Sequence, residues 1–284
     1  MDAALAALLD DAGSELSRDR GRLVILTGAG LSADSGLPTF RGPEGYWTVG
    51  SAVYAPEEIA TRAAWNRMPV EVWRFVQRLL RACAGAAPNP GHHAIAELDR
   101  HFGDRCVTIT QNVDGLHHKA GNHPDRVLSI HGDGAYVRCG ADCSLDLLPL
   151  PPAVLGADFD PATDPSLRCP RCGAMLRPHA LFFDEFYSEA LYRSDSALRA
   201  AREATLLLVV GTAGATTLPG AIAGLAANAG ATIIDINPHD GPFARLARSI
   251  PRGYWVQDRA AAALPAIAAR LVAAGRPPVL HPSS

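Results

Sequence analysis

The chain has 284 residues, 48% hydrophobic and 19% charged, the balance of an ordinary soluble globular protein long enough for one large domain and a smaller one. A net charge of −3 with scattered basic residues argues against a nucleic-acid partner. No apolar run approaches the ~18 residues of a membrane span, which argues against a membrane protein.

The opening MDAALAALLDDAGSEL is acidic and amphipathic, without a basic n-region or a long apolar stretch. It reads as a helix, and the protein as cytoplasmic. Leu23–Leu26 is then a strand-length apolar run, followed by LTGAGLSADSGLPTFRG from Leu26 to Gly42. Gly28-Ala29-Gly30-Leu31-Ser32-Ala33 fits the G-x-G-x-x-A form of a dinucleotide-binding turn. Pro38 stands where the following helix should be in full stride, and Phe40 and Arg41 end the stretch. An acidic residue should close a second strand about 20 residues further on. GYWTVGSAVYAPEEI offers no clear strand before Glu57, so a phosphate turn is expected without the ordinary hydride-transfer architecture.

Residues 45–85 carry a helical stretch, Pro56 to Cys83, where that second strand should have come. A helix is expected over 91–102, then a strand at Cys106–Ile109. The strand runs into Thr110-Gln111-Asn112-Val113-Asp114-Gly115, whose amides and carboxylate suit either recognition of a carboxamide or sugar, or capping of the next helix. Val127–Ile130 is the third strand, and His131 ends it, either as a structural histidine or as a general base. Further helices are expected over 187–203, 216–229 and 258–274, with strands at Leu206–Val210 and Thr232–Ile236. Gly211-Thr212-Ala213-Gly214 after the first of these strands offers backbone amides to a phosphate or is a plain turn. Asn237-Pro238 after the second holds a ribose hydroxyl or merely turns the chain.

The strands lack in/out alternation, as expected for a parallel sheet covered on both faces, and the polar loops follow their carboxyl ends, where ligands bind in such sheets. The fold class is therefore α/β. The large domain is expected to comprise 1–44, 86–131 and 183–275, the small domain 45–85 and 132–182, and 276–284 a flexible tail.

Of six cysteines, Cys139-x3-Cys143 and Cys169-x2-Cys172 form two knuckles 25 residues apart in a segment too poor in apolar residues to build its own core. Four thiolates at that spacing suit one tetrahedral zinc ion, closed to water and therefore structural. Cys83 and Cys106 read as buried apolar thiols.

Taken together, GAGLSADSGLPTFRG, TQNVDGLH, the histidine of IHGDG, two cysteine pairs, GTAG and IN resemble the sirtuins of bacterial type, the NAD-dependent protein lysine deacylases, in the family's order over about 20–266. The resemblance implies a Rossmann-type parallel sheet with a smaller inserted zinc-ribbon and helical domain. It implies NAD as co-substrate, an acyl-lysine protein or peptide as partner, and a monomer. By motif, Gly28, Ala29, Gly30 and Ser32 belong to the phosphate turn, with Phe40 and Arg41 over the nicotinamide ribose. Gln111 contacts that ribose, Asn112 and Asp114 line the nicotinamide pocket, and His131 is the general base. Gly211 and Thr212 hold phosphate or adenosine, Asn237 the adenosine ribose, and Asp258 lies near the adenine, where Gly is common. The acyl oxygen attacks C1′ as nicotinamide leaves, His131 then activates a ribose hydroxyl, and the products are lysine, nicotinamide and O-acyl-ADP-ribose. An NAD glycohydrolase or ADP-ribosyltransferase on the same fold is the alternative.

Several residues depart from the family pattern. Phe183-Asp184-Glu185 replaces the usual Phe-Gly-Glu, His179 replaces a more usual acidic residue, Ala213 a usual Ser, and the first cysteine pair has an extra residue. The succinyl- and malonyl-specific branch carries a Tyr and an Arg three residues apart on the small-domain helix. Val76 and Leu79 align there, with Arg78 one position off, so an uncharged acyl group is expected.

Overall fold

The computed structural model describes residues 1–18, 21–39 and 55–275; Phe40, Arg41 and the expected tail 276–284 lie outside the described residues. Its strands are β1 (Leu23–Thr27), β2 (Cys106–Thr110), β3 (Val127–Ser129), β4 (Gly132–Cys139), β5 (Leu148–Pro149), β6 (Leu176–Ala180), β7 (Leu206–Val210), β8 (Thr232–Ile236) and β9 (Gly253–Val256). Among the described residues they form a six-stranded sheet of order β3-β2-β1-β7-β8-β9, every neighbouring pair parallel, and a three-stranded antiparallel sheet of order β5-β4-β6.

Successive residues of β1 enter opposite cores. Leu23 and Ile25 pack with Leu9, Ile95, Leu208 and Leu264 under the helices Ala3–Leu16, Pro90–Phe102 and Ala260–Ala274. Val24 and Leu26 pack with Leu207, Val209, Ile222 and Phe243 under Ser194–Arg202, Thr217–Asn228 and Pro242–Ser249. With both faces covered, β1, β7 and β8 are buried at every position, which is why their sequences run apolar without alternation. The strand order reverses around β1, so the loops after β1, β2 and β7 meet at one switch point, where such sheets bind ligands.

A third core joins the helices of 56–85 to the antiparallel sheet: Trp65, Trp73, Phe75, Val76, Val137, Leu176 and Phe182 pack together. Trp73 satisfies its buried indole N–H on the Leu176 carbonyl at 2.7 Å, and Gln77 donates to the Val154 carbonyl at 2.9 Å. Cys83 and Cys106 are buried thiols, as expected, and burial pushes Cys83 up to about 12.

Two elements carry too weak a pattern to be seen in advance. β9 is a four-residue edge strand, half-buried at each position, and it exists through its pairing with β8. The eight-residue helix Pro242–Ser249 is short, although Gly241-Pro242 marks its start. The helix expected over 187–203 is broken at Arg193 (φ 52°) into Glu189–Tyr192 and Ser194–Arg202. There Glu189 accepts from both the Ser196 N–H (2.9 Å) and hydroxyl (2.6 Å), starting the second helix with a side chain from the first.

Candidate active site

The loop after β1 does not become an α-helix. It makes two 3-10 turns, Ala29–Leu31 and Ala33–Ser35, and stops at Gly36 (φ 80°), two residues before Pro38. The left-handed glycine therefore ends the turn, not the proline. Gly28 donates to the Val210 carbonyl at 3.0 Å and Gly30 to the Gly211 carbonyl at 2.8 Å. A Cβ on Gly30 would lie 2.8 Å from Gly211 Cα and O, and one on Gly211 only 2.5 Å from the Leu31 nitrogen. These glycines let the β1 and β7 loops touch, so the turn is held against its neighbour as well as being open to a phosphate.

The polar residues after β2 join this cluster. Gln111 Nε2 donates to Thr212 Oγ1 (2.9 Å) and to the Thr27 carbonyl (3.1 Å). Asn112 Nδ2 donates to the Gly28 carbonyl (3.0 Å) and to Ser32 Oγ (3.2 Å), and Ser32 Oγ donates to Asp114 Oδ2 at 2.6 Å. Asp114 Oδ1 accepts the Leu116 N–H at 2.9 Å, the capping contact that one reading of this segment expects. Thr27 and His117, neither singled out by the sequence, support the floor: Thr27 Oγ1 meets Thr110 Oγ1 at 2.9 Å and His117 Nε2 at 3.0 Å. The sheet thus brings Gly28, Ala29, Gly30, Ser32, Gln111, Asn112, Asp114, Gly211 and Thr212 into one cleft.

Asn237 lies at its far edge, donating to the Thr212 carbonyl at 3.1 Å while its own Oδ1 accepts the His239 N–H. Asp258 is exposed after β9 and accepts only its neighbour Arg259's N–H. Arg259 reaches instead to Asp34 at 2.8 Å, tying that loop to the turn after β1.

His131 sits between the two sheets, after β3 and immediately before β4. Its carbonyl accepts the Leu181 N–H at 2.9 Å, and its Nε2 meets the Tyr187 hydroxyl at 3.0 Å, a partner the sequence did not suggest. Gly132 makes this junction possible: its φ is 92°, and a Cβ there would lie 2.1 Å from the His179 carbonyl oxygen. Burial pushes His131 down to about 4, against a hydrogen bond to the Gln111 backbone that favours its charged form. At neutral pH the imidazole is therefore neutral and able to take a proton.

The segment after β6 is fixed two residues before Tyr187. Arg177, wholly buried, grips Glu185 through bonds of 2.5 and 2.8 Å, and Phe182 donates its N–H to the same carboxylate at 3.0 Å. Two departures in this region make contacts within the fold. Asp184 accepts the Arg62 (2.5 Å) and Ala63 (3.0 Å) N–H groups, capping the helix Arg62–Arg67 from outside it. His179 is buried and stacked on Tyr192 with centroids 5.6 Å apart, and burial pushes it down to about 4. It carries no charge at neutral pH. On the small-domain helix Pro69–Gly85, Val76 is buried, Leu79 packs beside Leu37 and Leu116, and Arg78 is exposed.

At the end of β4 away from His131 the four cysteines converge. Their sulfur atoms lie within 4.8 Å of one another, with Cys139–Cys172 at 3.5 Å and Cys143–Cys169 at 3.6 Å. Four sulfurs at about 2.3 Å from a central zinc would be spaced much like this. The donor set and its spacing fit one tetrahedral zinc ion. The extra residue of the first pair is absorbed at Asp142, which takes a left-handed φ of 51° and pairs with Arg138 and, at 2.9 Å, with Arg62.

His92, His117, His131 and His179 are held mainly by burial at about 4, 3, 4 and 4, against an ordinary value of 6.5. Between those values the unfolded chain binds more protons than the folded one, so stability rises with pH through the window and is lost as pH falls. Urea midpoints should be flat above neutrality and drop progressively from about pH 6.5 to about 4. A midpoint unchanged down to that lower pH would contradict neutral burial of these rings.

The Sir2 family model matches residues 28–217. The chain is 38% identical to NAD-dependent protein deacylase 2 of Pyrobaculum aerophilum, covering 85% of this chain and 88% of that protein. It is 36% identical to the NAD-dependent protein deacylase of Aquifex aeolicus, over 79% and 87% of the two chains. Among solved structures it is similar to a Sir2 homologue in complex with NAD (TM-score 0.78, 31% identity, 94% and 95% coverage). It is also similar to a Sir2 protein bound to a myristoylated histone peptide (TM-score 0.65, 27% identity, 93% and 96% coverage).

Proposed function

The chain belongs to the Sir2 family of NAD-dependent protein lysine deacylases, and on that premise we propose how its residues carry the reaction and which acyl groups it accepts. It consumes NAD and an acyl-lysine protein or peptide, and forms lysine, nicotinamide and O-acyl-ADP-ribose. One observation carries the assignment of roles. His131, neutral and half-buried, stands where the antiparallel sheet leaves the parallel sheet, its Nε2 3.0 Å from the Tyr187 hydroxyl.

Gly28, Ala29, Gly30, Ser32, Gly211 and Thr212 bind the phosphates and adenosine, with Asn237 and Asp258 at the adenosine end. Phe40 and Arg41 keep the place over the reacting ribose that their motif assigns. Asn112 and Asp114 hold the nicotinamide carboxamide, and Gln111 orients the ribose, so that the acyl oxygen meets C1′ in near-attack geometry. His131 then takes the proton of a ribose hydroxyl, making it the nucleophile toward the acyl carbon. Cys139, Cys143, Cys169 and Cys172 would hold one zinc ion, which would supply rigidity to the small domain and no chemistry, since four thiolates leave no place for a water.

We divide the chain into a large domain of 1–44, 86–131 and 183–275 and a small domain of 45–85 and 132–182, a division supported by the shared core of the two insertions. We place the enzyme in the cytoplasm as a monomer without a nucleic-acid partner. Among the described residues no helix is long and apolar enough to cross a membrane.

Val76, Leu79 and the outward-facing Arg78 leave no cation at the two aligned positions to grip a carboxylate, so the acyl group is acetyl or another uncharged chain. A panel of one peptide carrying acetyl-, propionyl-, succinyl- or long-chain-acyl-lysine, with NAD, tests this. Acetyl or propionyl turnover should exceed succinyl at least ~10-fold, about the 1.4 kcal/mol of an unpaired polar group. Succinyl preference would sink the acyl assignment, and NAD cleavage indifferent to peptide would sink the deacylase reading in favour of a glycohydrolase.

A further inference from the structure

Tyr187 occupies the nitrogen that His131 needs. The Tyr187 hydroxyl lies 3.0 Å from His131 Nε2. A neutral imidazole has one donor and one acceptor nitrogen, and an acceptor at Nε2 would take the Tyr187 O–H. Burial pushes the phenol up, so it stays protonated. The hydroxyl thus stands at the ring edge that a ribose hydroxyl would need.

We propose that the Tyr187 hydroxyl is a placeholder for the ribose hydroxyl: it fills the acceptor site of His131 in the cofactor-free protein, fixes the ring as the Nδ1–H tautomer, and leaves that site when the ribose arrives. This rests on the reading of His131 as the general base. The exchange needs no backbone change. Glu185, two residues earlier, is clamped by Arg177 and the Phe182 N–H, while Tyr187 itself is only half-buried and can turn about its side-chain bonds. Its ring packs at the edge of the core that contains Leu128 and Ile130, so loss of the hydroxyl alone leaves that packing intact. Tyr187 is then a positioning residue: it orients the base before binding and competes with the ligand for the same lone pair.

The test is Tyr187→Phe, with ADP-ribose as the probe ligand and the intact chain as the protein. Removing the competitor should tighten ADP-ribose binding in calorimetry by about 2–10-fold, the worth of one hydrogen bond. The His131 Nε2 resonance in cofactor-free, nitrogen-15-labelled protein should shift. In a His131→Ala background the same change should no longer tighten binding, since the effect acts through His131. Unchanged or weaker ADP-ribose binding in Tyr187→Phe would overturn the proposal. So would a fall in kcat, which would mean the hydroxyl stays and passes the proton itself. Turnover by His131→Ala would overturn the base assignment instead. Because binding and resonance are read without turnover, the two failures are distinguishable.

Discussion

Replacing His131 by alanine should reduce acyl transfer by about 10²–10⁴-fold, the usual contribution of a positioned general base. The fold should survive. The side chain is half-buried, and its junction is held by backbone features that alanine keeps: the Leu181 N–H on the residue-131 carbonyl and the tight turn at Gly132. Departure of nicotinamide precedes the base-dependent step, so exchange of labelled nicotinamide into NAD should persist in the presence of acyl peptide while product formation fails. Steady-state assays paired with circular dichroism check this. Near-normal product formation by a folded variant would remove His131 from the reaction.

The second large effect is expected at the zinc site. A closed thiolate site contributes about 10–16 kcal/mol to folding its module. Cys169→Ser should abolish the one zinc ion per chain and melt the β4–β6 unit, because Cys139 and Cys169 are buried in the same core as Val137, Leu176 and Phe182. Deacylation should be lost with it, although no cysteine lies in the cleft. Leu181, which holds the His131 backbone, and Tyr187 both follow β6, so disorder there reaches the base. The parallel sheet has its own two cores, and ADP-ribose affinity should fall only severalfold. Metal analysis, thermal melts and ADP-ribose titration on the variant and on chelator-treated protein measure this. Full activity in metal-free protein would show that the cysteines do not hold a structural ion.

The central sheet was legible because burial on both faces writes itself into composition: β1, β7 and, apart from Asp235, β8 are largely apolar runs ending in glycine or polar loops. The cysteine knuckles were legible for a related reason, since metal ligands must come as close pairs. β9 and the helix Pro242–Ser249 were not, because a four-residue edge strand and a two-turn helix draw their stability from their neighbours. Asp184 shows the same limit. The motif shows only that Asp stands in place of a glycine; its partner, the start of the helix Arg62–Arg67, lies more than 100 residues away in sequence.

The sequence by itself determined the chemical inventory: a phosphate turn, an amide-and-carboxylate loop, one histidine at a strand's end and four thiols, in an order that identifies the family. Those features are local, carried by spacing within a few residues, and spacing survives without coordinates. Only the tertiary structure decided which groups touch. It packed Gly30 on Gly211, linked Ser32 to Asp114, and set the Tyr187 hydroxyl against Nε2 of His131. Those contacts join strands that are neighbours in the sheet but distant in the chain, or a base to a loop 56 residues later, so no local pattern encodes them.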